Sequence, residues 1–544
     1  MKSSTSLPKH LYLIRTPAGQ NLHKPSRETM GSKGYNLHRM TQAGLNVPIA
    51  LVIGTHYTHA PQECFLPVFS MGLPALEEST GLLFGDDRNP LILSVRSGAP
   101  VSMPGMLETL LNIGLSDHTL PGLVRQTGNP RMAWDAYRRL VASYGEVVEG
   151  LPAALFEAEI DRLTQGQDER LLDFSQLRQL TRSFLALYET HAGRPFPQDA
   201  RAQLSGAIEA VFASWNADKA VEYRRINQID QGMGTAVILQ RMVFGNTGGH
   251  SGAGVGFTRD PSTGENRLWV DFLANAQGED VVSGRRNAHG HATLAAVAPD
   301  AWQQLQASAQ ALEQHFKDMQ DFEFTVQDGV LHMLQTRDGK RTPLAAARIA
   351  LDLLEEGLID SAEALVCTQA IQEDDLGTVR MVAGDDPDNA PAPLALANPA
   401  CSGVVSGAIA LDAQAVERLV QQGRPAILVR QDAETSDIAA MQGAQGLLTQ
   451  RGARTSHAAV VARQMGKTCL VGCTALHINE AARTLQIGTE TLNENDLITL
   501  EGNDGAIYAG QATSALVPDS ALRARLEGLR SQHAGKKAHR PQQH

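Results

Sequence analysis

Over the first 345 residues, short strand-like apolar runs such as Leu91-Ile92-Leu93-Ser94-Val95 alternate with helical stretches such as residues 207–215. That mixture predicts one large mixed α/β unit. The sharpest alternation is Asp321-Phe322-Glu323-Phe324-Thr325-Val326. Its period of two puts Asp321, Glu323 and Thr325 on one face of a strand. Gln327-Asp328-Gly329 turns the chain, and residues 330–337 return as a second strand. Loop length decides what meets across this hairpin. A two-residue Asp328-Gly329 turn sets Gln335 opposite Phe322, whereas a three-residue loop with Gly329 left-handed pairs Asp321 with Gln335 and Glu323 with Met333. The three-residue loop is the expected one, and it gathers Asp321, Glu323, Gln335 and Arg337 on one surface. That surface suits Mg²⁺, with oxygens from Glu323 and Gln335, or else is a solvated polar face.

From about 345 to 390 the pattern becomes helical (residues 344–354) and then polar and acidic. Asp385-Asp386-Pro387-Asp388-Asn389-Ala390-Pro391-Ala392-Pro393 reads as a proline-stiffened linker. A Gly/Ala/Val-rich unit follows over roughly 394–512, with short strands such as Ala426-Ile427-Leu428-Val429. The tail beyond about 518 reads as one short helical stretch and then Gly535-Lys536-Lys537-Ala538-His539-Arg540, expected to be disordered.

Composition narrows the class. A chain of 544 residues exceeds one ordinary core, so two to four domains are expected. Hydrophobic residues at 42% and charged residues at 19% describe a soluble globular protein. The net charge of −12 argues against a general nucleic-acid binder. Five scattered cysteines imply no disulfide framework, and Cys469 and Cys473 read as buried thiols. Neither an apolar signal core nor a run near ~18 apolar residues is present, so a cytoplasmic protein without membrane contact is expected.

Three segments carry candidate chemistry. Gly31-Ser32-Lys33-Gly34-Tyr35-Asn36-Leu37 is either a phosphate-touching turn opening a helix or a plain glycine-rich turn, since it lacks the P-loop spacing. In Ser94-Val95-Arg96-Ser97-Gly98-Ala99-Pro100-Val101-Ser102-Met103-Pro104-Gly105-Met106 a strand delivers Arg96 into a loop of small residues, with a helix expected near Met106. Arg96 is then either a phosphate ligand or a structural arginine beside a tight loop. The third is Arg454-Thr455-Ser456-His457-Ala458-Ala459-Val460-Val461-Ala462-Arg463. Thr455 or Ser456 can cap a helix that starts there, and free amides at a helix N-terminus suit an anion. His457, with an unperturbed pKa near ~6.5, is a plausible phosphoryl nucleophile in that position.

This last string closely resembles the phosphohistidine segment of the pyruvate phosphate dikinase family, and the likeness continues through Gly466-Lys467 to Cys469-Leu470-Val471-Gly472-Cys473. It departs just upstream, where the family usually has Gly-Gly-Met and this chain has Gly452-Ala453-Arg454. The first 345 residues resemble the ATP-grasp part of the same family. The likeness rests on the Lys33 turn, the Arg96 loop, Asp135-Ala136-Tyr137-Arg138-Arg139 and Gln240-Arg241-Met242-Val243-Phe244-Gly245-Asn246. It also rests on Phe257-Thr258-Arg259-Asp260-Pro261-Ser262-Thr263-Gly264-Glu265, Asn275-Ala276-Gln277-Gly278-Glu279-Asp280 and the hairpin.

The resemblance implies a multidomain α/β and α+β fold. An ATP-grasp nucleotide-binding unit with subdomains would span 1–345 and a helical, proline-containing linker 346–393. A swivelling β/β/α phosphohistidine domain would span 394–512, and a short, partly disordered tail 513–544. It further implies ATP and Mg²⁺, with Lys33 and Arg96 on ATP phosphates. Gln240, Met242, Val243 and Glu279 would line the nucleoside pocket. Asp321, Glu323 and Gln335 would handle phosphates and metal, Arg337 would assist transfer, and His457 would carry the phosphoryl group. Thr455 is where such dikinases can be regulated, by a kinase and phosphatase acting on it. The family's C-terminal acceptor barrel needs ~250 residues, and only about 30 follow residue 512. A separate barrel-type subunit is therefore expected. A non-pyruvate small-molecule acceptor and a non-catalytic nucleotide-responsive regulator are the alternatives.

Overall fold

The computed structural model describes residues 7–16, 24–103, 105–165, 167–282, 290–382, 392–432, 437–454 and 456–538. The side chains of Val282, His457, Ala458, Gln464 and residues 534–538 lie outside that description, as do residues 385–391 of the expected linker and residues 539–544 of the expected tail. The chain forms two compact units, residues 1–251 with 325–337, and residues 252–324 with 338–544. Neither follows the expected boundary at 345.

In the first unit an antiparallel sheet is built from β1 (Leu11–Ile14), β2 (Ala50–Ile53), β3 (Leu93–Gly98), β4 (Thr109–Ile113) and β5 (Ala236–Arg241). Their order is β1-β2-β5-β3-β4. Helix α1 (Arg27–Gln42) is capped by Ser26, whose side chain accepts from the Thr29 N–H. Helices α2 (Pro130–Glu149), α3 (Phe174–Ala192) and α4 (Ala200–Ala213) share one apolar core with this sheet. The helix expected near Met106 is absent. β4 occupies that stretch, with Leu110 paired to Val95, because an apolar run this short carries no clear period of its own and strand pairing decides it.

In the second unit β6 (Gly252–Phe257) and β7 (Trp269–Ala274) pair antiparallel. β8 (Gln320–Gln327) lies on the other side of β6, and the chain passes into the first unit after Phe324. Helix α5 (Pro299–Phe316) precedes β8, and β9 (Val330–Asp338) follows it. Arg259, fully buried just past β6, donates to Glu313 of α5 and to Glu356.

Helices α6 (Pro343–Glu355) and α7 (Ser361–Thr368) and strand β10 (Gly377–Met381) lead to the 394–512 region. There β11 (Ala395–Leu396), β12 (Asn398–Cys401), β13 (Val404–Ala410), β14 (Ala426–Arg430), β15 (Gly446–Thr449) and β16 (Thr468–Val471) join β20 (Leu497–Glu501) and β21 (Ala506–Ala509) in one eight-stranded sheet. β17 (Leu476–Asn479), β18 (Thr484–Ile487) and β19 (Glu490–Asn493) make a small second sheet. Helix α8 (His457–Gln464) packs on β16 and β12. The glycine- and alanine-rich composition lets it approach closely, and Ala459 and Ala462 are fully buried.

Within the expected tail the described residues hold a strand and a helix longer than the short stretch expected. β22 (Ser514–Pro518) pairs with β10, and α9 (Ser520–Ala538) buries Leu522, Leu526 and Leu529 against α6. Burial of each such leucine stabilises by roughly 1.5–3 kcal/mol. All five cysteines are free, and Cys469 and Cys473 are buried thiols as expected.

Candidate active site

The Lys33 turn and the Arg96 loop form one structure. α1 is broken at Gly31, which has φ 68° and ψ 164°, a conformation essentially confined to glycine. A Cβ there would also meet the Gly98 carbonyl oxygen at 1.5 Å. The Ser32 N–H and hydroxyl both donate to the Ala99 carbonyl, at 2.9 and 2.8 Å. Lys33 thus begins the second stretch of α1 directly beside the loop that follows Arg96.

Arg96, half-buried on β3, donates from Nη1 to Gln240 Oε1 at 3.1 Å and to the Leu334 carbonyl at 3.2 Å. Its Nη2 donates to Gln335 Oε1 at 3.0 Å. Gln240, buried on β5, is fixed in turn by donating to the Pro48 carbonyl. Three of the expected residues are therefore brought together. Met242 and Val243 follow at the end of β5, where Met242 donates its N–H to the Ile92 carbonyl. Beside them lies a cleft of about 180 Å³ lined by Ile92, Gln126, Arg241, Met242, Phe244 and Gln327.

The hairpin differs from expectation. β8 runs through Gln327 and β9 starts at Val330, so the loop is two residues, Asp328 and Gly329, at φ 51° and 81°. Asp-Gly is among the strongest pairs for a turn needing both residues left-handed. Asp328 is held there: its carboxylate accepts from the Thr247 hydroxyl, and its N–H donates to Ser251 Oγ. The three-residue register is thus absent, and with it the argument that put Asp321, Glu323, Gln335 and Arg337 on one surface. Gln335 is recruited by Arg96 instead.

Gln335 and Arg337 belong to the first unit with Lys33, Arg96, Gln240, Met242 and Val243, whereas Asp321, Glu323 and Glu279 belong to the second. Asp321 is buried, Glu323 half-buried, and Glu279 exposed in the first turn of the short helix Gly278–Val282. Among the described residues no three or more His, Cys, Asp or Glu side chains gather into a metal cage. Mg²⁺ held through one or two protein oxygens plus nucleotide phosphates needs none.

His457 is the first residue of α8, after the loop that leaves β15. Ser456 is the cap: its Oγ accepts from the Ala459 N–H at 3.4 Å, and its own N–H donates to the Ala453 carbonyl at 2.9 Å. Thr455 lies outside the described residues.

Arg463, read from sequence only as the end of a motif, is 3% exposed. Its Nη2 donates to the carbonyls of Ala400 (2.7 Å) and Arg454 (3.3 Å), which ties α8 to the loop before His457. Its Nε and Nη1 find no acceptor among the described residues, and burial pushes its pKa down. The available signal was a charge on the otherwise apolar run from Ala458 to Ala462.

Residues 75–292 and 289–357, together more than half of the chain, match the family described as pyruvate phosphate dikinase, AMP/ATP-binding domain. The chain belongs to the pyruvate phosphate dikinase family. Residues 422–505, which include α8, match a second family, described as PEP-utilising enzyme, mobile domain. The pyruvate, phosphate dikinase of Clostridium symbiosum is 43% identical over 501 residues, covering 89% of this chain and 56% of that protein. The chloroplastic dikinase of Mesembryanthemum crystallinum is 40% identical over 500 residues, covering 90% and 52%. That of Rhizobium meliloti (strain 1021) is 41% identical over 508 residues, covering 89% and 56%. The chain thus spans about half the length of the curated relatives it matches. No helix among the described residues is long and apolar enough to cross a membrane.

Proposed function

We propose that this chain phosphorylates its own His457 by a dikinase half-reaction, in which ATP and inorganic phosphate give AMP, pyrophosphate and phospho-His457. What carries the reading is that an AMP/ATP-binding-domain match and a mobile-domain match lie on a single chain, with His457 at the first position of α8 inside the mobile-domain match. An imidazole nitrogen of His457 bonds to the β-phosphorus of ATP as the bond from that phosphorus to the α–β bridging oxygen breaks. AMP leaves with that oxygen, and pyrophosphoryl-His457 remains. An oxygen of inorganic phosphate then attacks the terminal phosphorus, pyrophosphate leaves, and phospho-His457 remains. Free amides and the positive end of α8 favour the added negative charge.

Lys33 and Arg96 hold the ATP phosphates in this scheme. The Ser32–Ala99 bonds that lock their two segments together support it, as does the pair of glutamines orienting Arg96. Gln240, Met242, Val243 and Glu279 line the nucleoside pocket, Asp321 faces the phosphates, and Arg337 assists transfer. The family resemblance assigns Mg²⁺ to Glu323 and Gln335, where it would neutralise charge that builds on phosphoryl oxygens. The domain at 394–512 swivels to deliver phospho-His457 to an acceptor site, on a barrel-type partner subunit in this scheme. Phosphorylation of Thr455 would add about −2 of charge two residues from His457 and block the incoming polyphosphate.

The test is single-turnover labelling with β-³²P-ATP and Mg²⁺, with and without phosphate, on wild type and His457→Ala. The expected result is acid-labile label on wild type alone, AMP release, and pyrophosphate only when phosphate is present. Adding a barrel-type partner should then yield phosphoenolpyruvate. An unlabelled wild type overturns the half-reaction, and full labelling with no response to any such partner overturns the split-subunit acceptor.

A further inference from the structure

Arg454 occupies the loop just before His457, and its side chain leaves the phosphohistidine domain altogether. The guanidinium carbon lies 4.0 Å from the centroid of the Trp269 ring. Nε and Nη2 donate to Asp271 Oδ1 at 3.1 and 2.8 Å, and Nη2 also reaches the Val270 carbonyl at 3.3 Å. Asp271 is deeply placed, with its side chain 3% exposed against 22% for Arg454. Breaking an ion pair to a carboxylate this deeply placed costs more than breaking a pair at the surface. Cation–π seating on an aromatic face adds to it.

One turn-and-a-half along α8, Arg463 approaches the same surface, with its guanidinium carbon 5.2 Å from the Phe257 ring and 5.7 Å from Trp269. Phe257 and Trp269 are cross-strand partners in β6 and β7. The next residue, Thr258, donates its N–H to the Gln320 carbonyl at 2.9 Å, so this patch borders Asp321. Both arginines therefore bind the domain to the edge of the sheet that carries Asp321.

We propose that Arg454 is a positioning residue: clamped between the Trp269 ring and the Asp271 carboxylate, it docks the phosphohistidine domain on the nucleotide-binding sheet and so favours phosphorylation of His457 over the undocked state. The proposal rests on the half-reaction argued above. Arg454 touches no reacting atom. It acts by raising the fraction of molecules in which His457 is presented, which enters the rate directly and leaves nucleotide affinity alone.

The experiment compares Arg454→Met, which keeps length and loses charge, with Arg454→Lys and Asp271→Asn, after thermal melts establish that each is folded. Rapid-quench formation of phosphohistidine at saturating ATP, ATP affinity, and the maximum dimension from small-angle X-ray scattering are measured. Arg454→Met and Asp271→Asn are expected to slow phosphohistidine formation about tenfold or more, with ATP affinity unchanged and the particle extended. Arg454→Lys should recover only part of the rate, since an ammonium can still pair with Asp271 but lacks the planar stacking on Trp269 and the second fixed donor. Wild-type rates and dimensions in both charge-removing variants overturn the clamp. Extension in the variants with no labelling even of wild type leaves the docking role standing and removes the half-reaction.

Discussion

His332 illustrates how one buried side chain couples this fold to pH. It sits half-buried on β9, and its Nδ1 faces the Asn46 amide at 3.2 Å. Burial first, and the Arg241 charge second, push its pKa from 6.5 down to about 4. The folded protein thus keeps His332 neutral where the unfolded chain would protonate it. The unfolded state binds more protons between pH 6.5 and 4, so the stabilising term is whole above pH 6.5 and is lost as pH falls toward 4. The loss attached to this residue is on the order of 2–3 kcal/mol. Urea unfolding of wild type and His332→Gln at pH 7.5 and 4.5 measures it: the variant's stability should fall by that much less. Equal falls would remove His332 from the account. At this scale the sequence reading succeeded where a residue type and its neighbours define a role alone. The placement of Arg96 on a strand, whatever its role, and a serine capping the His457 helix are of that kind. It failed for Arg454 and Arg463, because their partners Trp269, Asp271 and Ala400 are 63 or more positions away and leave no local pattern.

Among the elements, α9 is the one whose importance the linear pattern understated. Leu522, Leu526 and Leu529 recur at helical spacing, and all three are buried beside Leu351 and Leu353 of α6. Arg525 pairs with Asp352 at 2.7 Å, and Arg348 with Asp519 at 2.8 Å, so both faces of the contact are fixed. The glycines, lysines and histidines toward the end of the chain masked a signal that spacing alone carried. Leu526→Ala should destabilise the second unit by about 2–4 kcal/mol through the cavity it leaves, read as a lower denaturation midpoint. A loss below about 0.5 kcal/mol, the range of ordinary surface substitutions, would mean that α9 is peripheral. The hairpin misreading has a different origin. Asp328-Gly329 reads as a turn in either register, and the alternation of the flanking strands is compatible with both loop lengths. The left-handed preference of both turn residues is what selects the shorter loop. Side chains long enough to reach a neighbouring strand, as Arg96 reaches Gln335, can gather a site that simple register does not.

At the scale of the whole chain, the decisive feature is that one compact region enters and leaves through the same place. β10 precedes it and β22 follows it, and the two pair over five residues from Gly377–Pro518 to Met381–Ser514. Its two apolar clusters draw only on residues between Leu394 and Ile507. A region with its own core and adjacent ends meets the conditions for folding alone. The sequence reading proposes such a region at 394–512, since its glycine- and alanine-rich composition is continuous along the chain. It missed the cut at residue 251, because β6, β7 and β8 are assembled with α6 and α9 by pairings that span hundreds of residues. A fragment of residues 392–512 should therefore unfold cooperatively by itself, with one calorimetric transition and little dye-accessible apolar surface. A molten fragment would mean that β10, β22 and the Arg454 contacts are needed to form the domain and not only to place it. If the fragment folds, placement and folding are separable in this chain. The same Arg454 substitutions should then shift the docked population without shifting the fragment's own melting temperature.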